Sequence, residues 1–281
     1  MDVVYYSGGN SGYFDTNIME FNRFVGEGHF NPTWWIKYIE LSRQIFGSKI
    51  IRACCGENAL DDKTLYIVRQ QAHFTSYVED YVKLVNSNVK KVHNFPVRIF
   101  HSTEMVKNTS MLYFTEITDL KRNVKLITVV SHMVFINRAT RRPTPLPQQL
   151  KHVVNNGHTS VLNTIQPIQD PLIEPPRQTK LFKWSRKISL LDTDYNGHAN
   201  NSVFFTIPLQ CLGIAIENKF SPTLKESIHD YAIEKYCLKI VKECHIGQVI
   251  TATMWESCGS SFHFVLKVNE LVVSCLTLIF V

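Results

Sequence analysis

Ordered cysteine chemistry is the first thing this chain of 281 residues lacks. Its seven cysteines are odd in number and scattered, and none stands in a C-x-x-C spacing. That excludes the common zinc frameworks and a disulfide-stapled secreted scaffold, and it leads us to expect reduced thiols in a cytoplasmic setting, with no metal. Long apolar runs are missing too. None reaches the roughly 18 residues of a spanning helix, so no membrane span is expected. The opening "MDVVYYSGGNSGYFD" has neither the basic start and apolar core of a signal peptide nor the arginine-rich character of a transit segment. A G-x-S-x-G elbow is absent, and "GNSG" at Gly9 does not fit one, which argues against a Ser-His-Asp hydrolase. Acidic charge is in mild deficit, 24 Asp and Glu against 30 Lys and Arg, for a net charge of +6. The basic stretches "RATRR" at 138–142 and "KLFKWSRK" at 180–187 read either as solvated strand and loop ends or as a landing site for the phosphates of a nucleotide or a phosphopantetheine arm. They do not interleave with aromatic residues as in an RNA-binding motif, so no nucleic-acid partner is expected.

What the chain does have is ample core material, 44% hydrophobic residues with 17 Phe and 4 Trp, which suits a globular protein of one large or two ordinary domains. Prolines at 143, 145, 147, 167, 171, 175 and 176 make residues 141–180 a poor place for continuous sheet or helix, apart from one short helix in "PQQLKHVVNN" after Pro147. We read residues 1–140 and 181–281 as two domains and 141–180 as their connection.

The two halves read alike. In the first, a strand-like "NIMEFNRFV" leads into "GEGHFNPTWWIKYIELSRQIF", whose Trp35, Ile36, Ile39 and Phe46 recur near helical spacing and whose Pro32 suits a first turn. Strand candidates follow, among them "TLYIVRQQAHF", "YVKLVNS", "FPVRIFHS", "SMLYFTEI" and "KLITVVSHMVFI". In the second, "FKWSRKISLL" precedes the ten residues "DTDYNGHANN", then an apolar helix "SVFFTIPLQCLGIAIENKF", then "YAIEKYCLKIVKE", "QVITATMW", "SFHFVLKV" and "LVVSCLTLIFV". One helix followed by a meander of antiparallel strands is an α+β layout, in which the sheet must wrap the helix to bury it. An internal repeat supports this pairing: "GHFNPT" at Gly28 lines up with "GHANNS" at Gly197 at a fixed offset, each at a strand-to-helix junction.

The cluster "DTDYNGHANN" holds two carboxylates, three amides and a histidine, more polar chemistry than a turn requires. It sits where a helix begins, with Asn200 or Asn201 as the natural N-cap. A helix start offers unpaired N–H groups and partial positive charge to an anion. Asp192 reads most simply as a turn cap. His29 has lost the partners of His198, since Val25 and Glu27 stand where Asp194 and Asn196 do in the second half. A structural or binding role is therefore expected of His29, and one active site per chain, in the C-terminal half.

The D-x-N-x-H pattern, between a strand and a long helix, resembles the hotdog-fold thioesterases, and most closely the plant and bacterial acyl-carrier-protein thioesterases with two hotdog domains in one chain. The resemblance covers roughly residues 180–258 specifically and 19–145 more loosely. It implies a tandem (double) hotdog in which each half wraps a long helix in an antiparallel sheet, the two sheets being paired. It also implies a hydrolase acting on an acyl thioester of acyl carrier protein or coenzyme A, within fatty acid biosynthesis and lipid metabolism, without a cofactor; a homodimer stays open. Carried residue by residue, the family's Asp, Asn and His fall on Asp194, Asn196 and His198, and "VKECHIGQ" places its Glu at Glu243.

The chemistry is consistent with that pattern. Thioester hydrolysis needs an oxyanion stabiliser and a delivered nucleophile, while the thiolate leaves readily. N–H groups from Gly197 through Asn200 and Asn201 would bind the carbonyl oxygen, with Gly197 leaving that approach open. Asp194 or Glu243 would act as base on water or attack directly, while His198 and Asn196 orient the water or hydrogen-bond the carbonyl. Cys244 reads as a buried core thiol rather than a nucleophile. The aromatic helix from Trp34 and Trp35 to Phe46 offers an apolar wall for the acyl chain. A hotdog dehydratase would use a different His and acid arrangement, and a non-catalytic acyl-thioester or lipid-binding protein is the alternative.

Overall fold

The computed structural model describes residues 4–5, 11–17, 32–87, 96–156, 167–193, 197–224, 226–258 and 260–281. The chain divides into two compact units, one built mainly from residues up to Ile168 and one from Gln169–Val281, with Glu27–Ile36 and His73–Val89 counting toward the second.

The first unit is a sheet of β1 (Val4–Tyr5), β2 (Ser11–Asn17), β3 (Lys63–Phe74), β4 (Pro96–Val106), β5 (Ser110–Asp119) and β6 (Val124–Asn137), in the order β1-β2-β4-β5-β6-β3. The ladders from β1 through β6 are antiparallel. Helix α1 (Pro32–Cys55) begins at its proline, where a missing N–H costs nothing, and runs well past Phe46. It lies over the sheet: the Phe46 ring sits 5.1 Å from His101 and 6.3 Å from Tyr113, centroid to centroid. The β5–β6 turn is set by Asp119, whose Oδ1 accepts the N–H groups of Lys121 at 2.7 Å and Arg122 at 3.2 Å, a local bond that competes with continued ladder.

"YVKLVNS" is helical, not a strand: it lies in α2 (Ser76–Ser87). The physical reason is visible in the residues. Val78, Tyr81, Val82 and Val85 recur at i, i+3, i+4 and i+7, the spacing of one helix face, and Glu79 pairs with Lys83 one turn on. A short helix α3 (Gln148–Asn156) follows Pro147, burying Leu150 and Val154.

The second unit has five antiparallel strands, β7 (Phe182–Lys187), β8 (Ile233–Ile240), β9 (Val249–Ser257), β10 (Ser261–Val268) and β11 (Leu271–Phe280), in the order β8-β11-β10-β9-β7. Its long helix α4 (Val203–Glu217) buries ten of its side chains, from Val203 through Ile216. A helix apolar nearly all round must be enclosed, and the registers show what encloses it. Leu238, Leu276, Phe264, Met254 and Phe182 are mutual cross-strand partners, one per strand. The adjoining row includes Tyr236, whose ring meets Phe205 of α4 at 5.1 Å. On the opposite face, Gln169 and Asp170 are tied down by Lys235 at 2.6 Å and Lys239 at 3.0 Å.

Candidate active site

The polar cluster lies between β7 and α4. A 3-10 turn, Leu190–Asp192, is closed by a capping box: Ser189 is the N-cap and Asp192 reaches back to it. Asp192 Oδ2 accepts the Ser189 N–H at 2.8 Å and its hydroxyl at 2.7 Å, while Oδ1 accepts Arg186 Nη2 at 2.6 Å. Partial burial pushes the Asp192 pKa upward, but these hydrogen bonds and the Arg186 charge outweigh it and hold the carboxyl below its usual range. Its two oxygens are committed to structure.

Beyond Asp192 the chain doubles back. Thr193 pairs with Ala199 as an isolated antiparallel bridge, and the Asn200 N–H reaches the Asp192 carbonyl at 2.8 Å. Asp194 and Asn196, which the sequence nominates, lie outside the described residues, as does His29. Gly197 has a φ of +75°, a left-handed conformation that side chains rarely adopt. An added Cβ would meet nothing within 4 Å, so the glycine answers to backbone shape and leaves the space beside it open.

The returning strand meets the connection between β8 and β9. His198 pairs with His245, through Ala199 N–H to the Cys244 carbonyl at 2.7 Å and Ile246 N–H to the Gly197 carbonyl at 3.3 Å. The segment bearing Glu243 and Cys244 is thereby laid along the segment bearing Gly197 and His198. Glu243 is half-buried and stands past the end of β8, which stops at Ile240; the strand is shorter than "YAIEKYCLKIVKE" implies. Cys244 is fully buried, and burial pushes its thiol up to about 11. Burial likewise raises Cys211 in α4 to about 12. Neither carries meaningful thiolate near neutral pH.

The helix start differs from the expected one. Ser202, not Asn200 or Asn201, precedes α4, and its side chain makes no capping bond. Instead Val203, Phe204 and Phe205 donate N–H groups to the carbonyls of Asn200, Asn201 and Ser202 at 2.9, 3.1 and 3.1 Å, a tight first turn of the kind helix ends adopt. The N–H groups of Ala199 and Asn200 are used by Cys244 and Asp192. Among the described residues, those of Gly197, Asn201 and Ser202 have no backbone hydrogen-bond acceptor. Gly197 and Asn201 bound the run that the sequence suggests, and Ser202 lies just beyond it. Trp35 is buried at the start of α1, and the Trp34 side chain lies outside the described residues.

His245 was not singled out from sequence. Its ring meets that of His198 edge to face, centroids 4.8 Å apart. The sequence "HIGQ" signals a turn but not this contact: Gln248 N–H bonds back to the His245 carbonyl at 3.2 Å around Gly247, whose φ is +85°. That is a four-residue turn with glycine where positive φ is required.

Two solved structures share this architecture across the whole chain. An acyl-ACP thioesterase of Bacteroides thetaiotaomicron matches 98% of this chain and 100% of its own, with a TM-score of 0.68 at 15% identity. The 12:0-ACP thioesterase of Umbellularia californica matches 96% of this chain and 97% of its own, with a TM-score of 0.68 at 14% identity. The fold is a tandem hotdog. No protein-family model and no curated protein sequence matches the chain, and at these identities the likeness is one of fold. In the second hotdog unit the candidate site occupies the start of the central helix, where the loop from β7 and the β8–β9 connection converge. Among the described residues no helix of the tandem hotdog is long and apolar enough to cross a membrane.

Proposed function

We propose that the chain hydrolyses an acyl thioester to a free fatty acid and a thiol, with its one catalytic centre in the C-terminal unit. The observation that supports this reading is the backbone pairing of Gly197–His198–Ala199 with Cys244–His245–Ile246 at the start of α4, which lays the segment bearing Glu243 along the segment bearing His198. The likeness in fold to proteins named as acyl-ACP thioesterases supports it.

In this mechanism the thioester carbonyl oxygen points toward the N–H groups of Gly197, Asn201 and Ser202. The helix dipole adds to their effect as negative charge develops there. A carboxylate, Asp194 or Glu243, takes the proton of an attacking water or attacks the carbonyl carbon itself. His198 and Asn196 orient the water or the carbonyl. The carbon–sulfur bond then breaks and the thiolate departs with the electron pair, to be protonated from solvent; where the carboxylate itself attacked, water then hydrolyses the resulting mixed anhydride, releasing the fatty acid and restoring the carboxylate. A thiolate needs little help to leave, so no strong general acid is required.

Acyl carrier protein is the favoured donor, with coenzyme A as the other source of the same thioester, and a carrier-protein donor places the chain in fatty acid biosynthesis. Free thiol released from acyl-carrier-protein and acyl-coenzyme A substrates of several chain lengths is the measurement. Turnover with at least one donor supports the reading. Tight binding of donors that all remain intact would make the chain a binder instead.

A further inference from the structure

We propose that His245 is a positioning residue for His198, holding its imidazole in the orientation that the reaction uses. This rests on the thioesterase reading above and adds to it a residue outside the D-x-N-x-H and E-C pattern.

The placement is built by backbone rather than by chance packing. His198 and His245 face each other in an antiparallel bridge whose two hydrogen bonds are made by their neighbours, Ala199 to Cys244 and Ile246 to Gly197. In such a non-hydrogen-bonded pair the side chains approach most closely, on the same face. The rings accordingly meet at 4.8 Å with an interplanar angle of 77°, the edge-to-face geometry that aromatic quadrupoles prefer.

The backbone at His245 is fixed from three directions. Its N–H donates to Gln248 Oε1 at 2.8 Å, its carbonyl accepts the Gln248 N–H at 3.2 Å, and the next turn residue, Gly247, donates to the Ile188 carbonyl at 2.9 Å. Ile188 in turn donates to the Gln248 carbonyl at 2.8 Å. His245 is exposed, but its backbone is not that of a free loop. An imidazole at the end of a mobile side chain delivers its nitrogen to many places; one held against a fixed ring delivers it to one, and a misplacement on the scale of 1 Å is costly to rate. His198 thus has its backbone set by the bridge, and its ring packs edge to face on that of His245.

The test compares His245→Ala, His245→Phe and wild type in steady-state hydrolysis, and follows the His198 ring protons by NMR in the same proteins. The expected result is a fall in kcat of about tenfold for His245→Ala with KM little changed, as for an interaction that matters to orientation more than to binding. His245→Phe keeps an aromatic edge beside His198 and should recover most of that loss. The His198 ring protons should shift in His245→Ala, since the neighbouring ring current is gone. If wild type is active and His245→Ala is equally active, or if His245→Phe is as impaired as His245→Ala, orientation by the ring is overturned. Unmoved His198 resonances in His245→Ala overturn the ring pair itself. A wild-type protein that hydrolyses no donor sinks the thioesterase reading and this catalytic role with it, and the NMR comparison then reports separately on the pair.

Discussion

The helix-facing sides of the two sheets are built from different materials. In the C-terminal unit the row beneath α4 is apolar from edge to edge: Leu238, Leu276, Phe264, Met254 and Phe182. In the N-terminal unit two rows beneath α1 carry polar groups, beside an apolar row of Phe14, Ile99, Ile117 and Ile127 on the same face. His101 on β4 bonds Thr115 on β5 through Nδ1 at 3.0 Å, and Gln70 on β3 donates to Ser131 on β6 at 2.9 Å. Tyr113 pairs in register with Ser131, and Arg43 of α1 donates to the Met133 sulfur at 3.0 Å. Each of these polar groups is buried. The strands under α1 thus present hydrogen-bonding groups as well as apolar ones. A sheet that encloses a helix can close on hydrophobic burial or on a satisfied polar network. The C-terminal unit uses the first; in the N-terminal unit buried polar pairs sit beside apolar rows, and among the described residues His101 Nε2 has no hydrogen-bond partner.

Removing a large core side chain from the apolar row should have the greatest effect on stability. Phe264→Ala is expected to destabilise the protein by about 3–5 kcal/mol, read from urea unfolding. A loss well below that would mean that the row is loosely packed and the contrast between the units overstated.

The next effect is confined to turnover. Asp194→Asn and Glu243→Gln keep shape and remove charge, so each should lower turnover on the order of a hundredfold if the carboxylates serve as base or nucleophile. Cooperative unfolding midpoints close to wild type would show that the loss is chemical.

The polar row can be probed by exchanging Thr115 for Val, which keeps volume and leaves His101 Nδ1 buried without a partner. A cost of about 1–3 kcal/mol is expected in urea unfolding, against almost none for the same exchange at exposed Thr140.

Acid sharpens the comparison further. Burial, with a contribution from the Arg43 charge, lowers His101 to about 3 in the folded protein, whereas an unfolded histidine titrates near 6.5. The unfolded chain therefore binds the extra proton first as pH falls. Stability is fully present above about pH 6.5 and should decline toward pH 3 by up to about 1.4 kcal/mol per pH unit from this group alone. In His101→Phe that part of the slope should vanish, as measured by unfolding free energy against pH. His263 in the second unit is shifted in the same direction by burial, yet both its nitrogens have hydroxyl partners, Ser257 at 2.8 Å and Thr277 at 2.9 Å. Among the described residues His101 Nε2 has none. The smallest effect belongs to Cys244→Ala, which should leave turnover nearly unchanged; a dead but folded variant would mean that a thiol does the chemistry.

The amino-acid sequence determined by itself that two similar halves each follow one long helix with antiparallel strands, because helical and alternating apolar spacings are local properties of the chain. It also marked Gly197 as a place without a side chain, a residue type that permits the positive φ found there, and Asp192 as a cap, because capping bonds span three residues. It misread α2, where a short apolar run fits either period, and it ended β8 too late. Only the tertiary structure decided three further things. It laid Cys244–Ile246 against Gly197–Ala199, it brought His245 onto His198, and it set buried polar pairs such as His101–Thr115 under an aromatic helix. Each depends on residues far apart in sequence, and pairing partners across such distances are chosen by the packing of the whole unit rather than by any spacing along the chain.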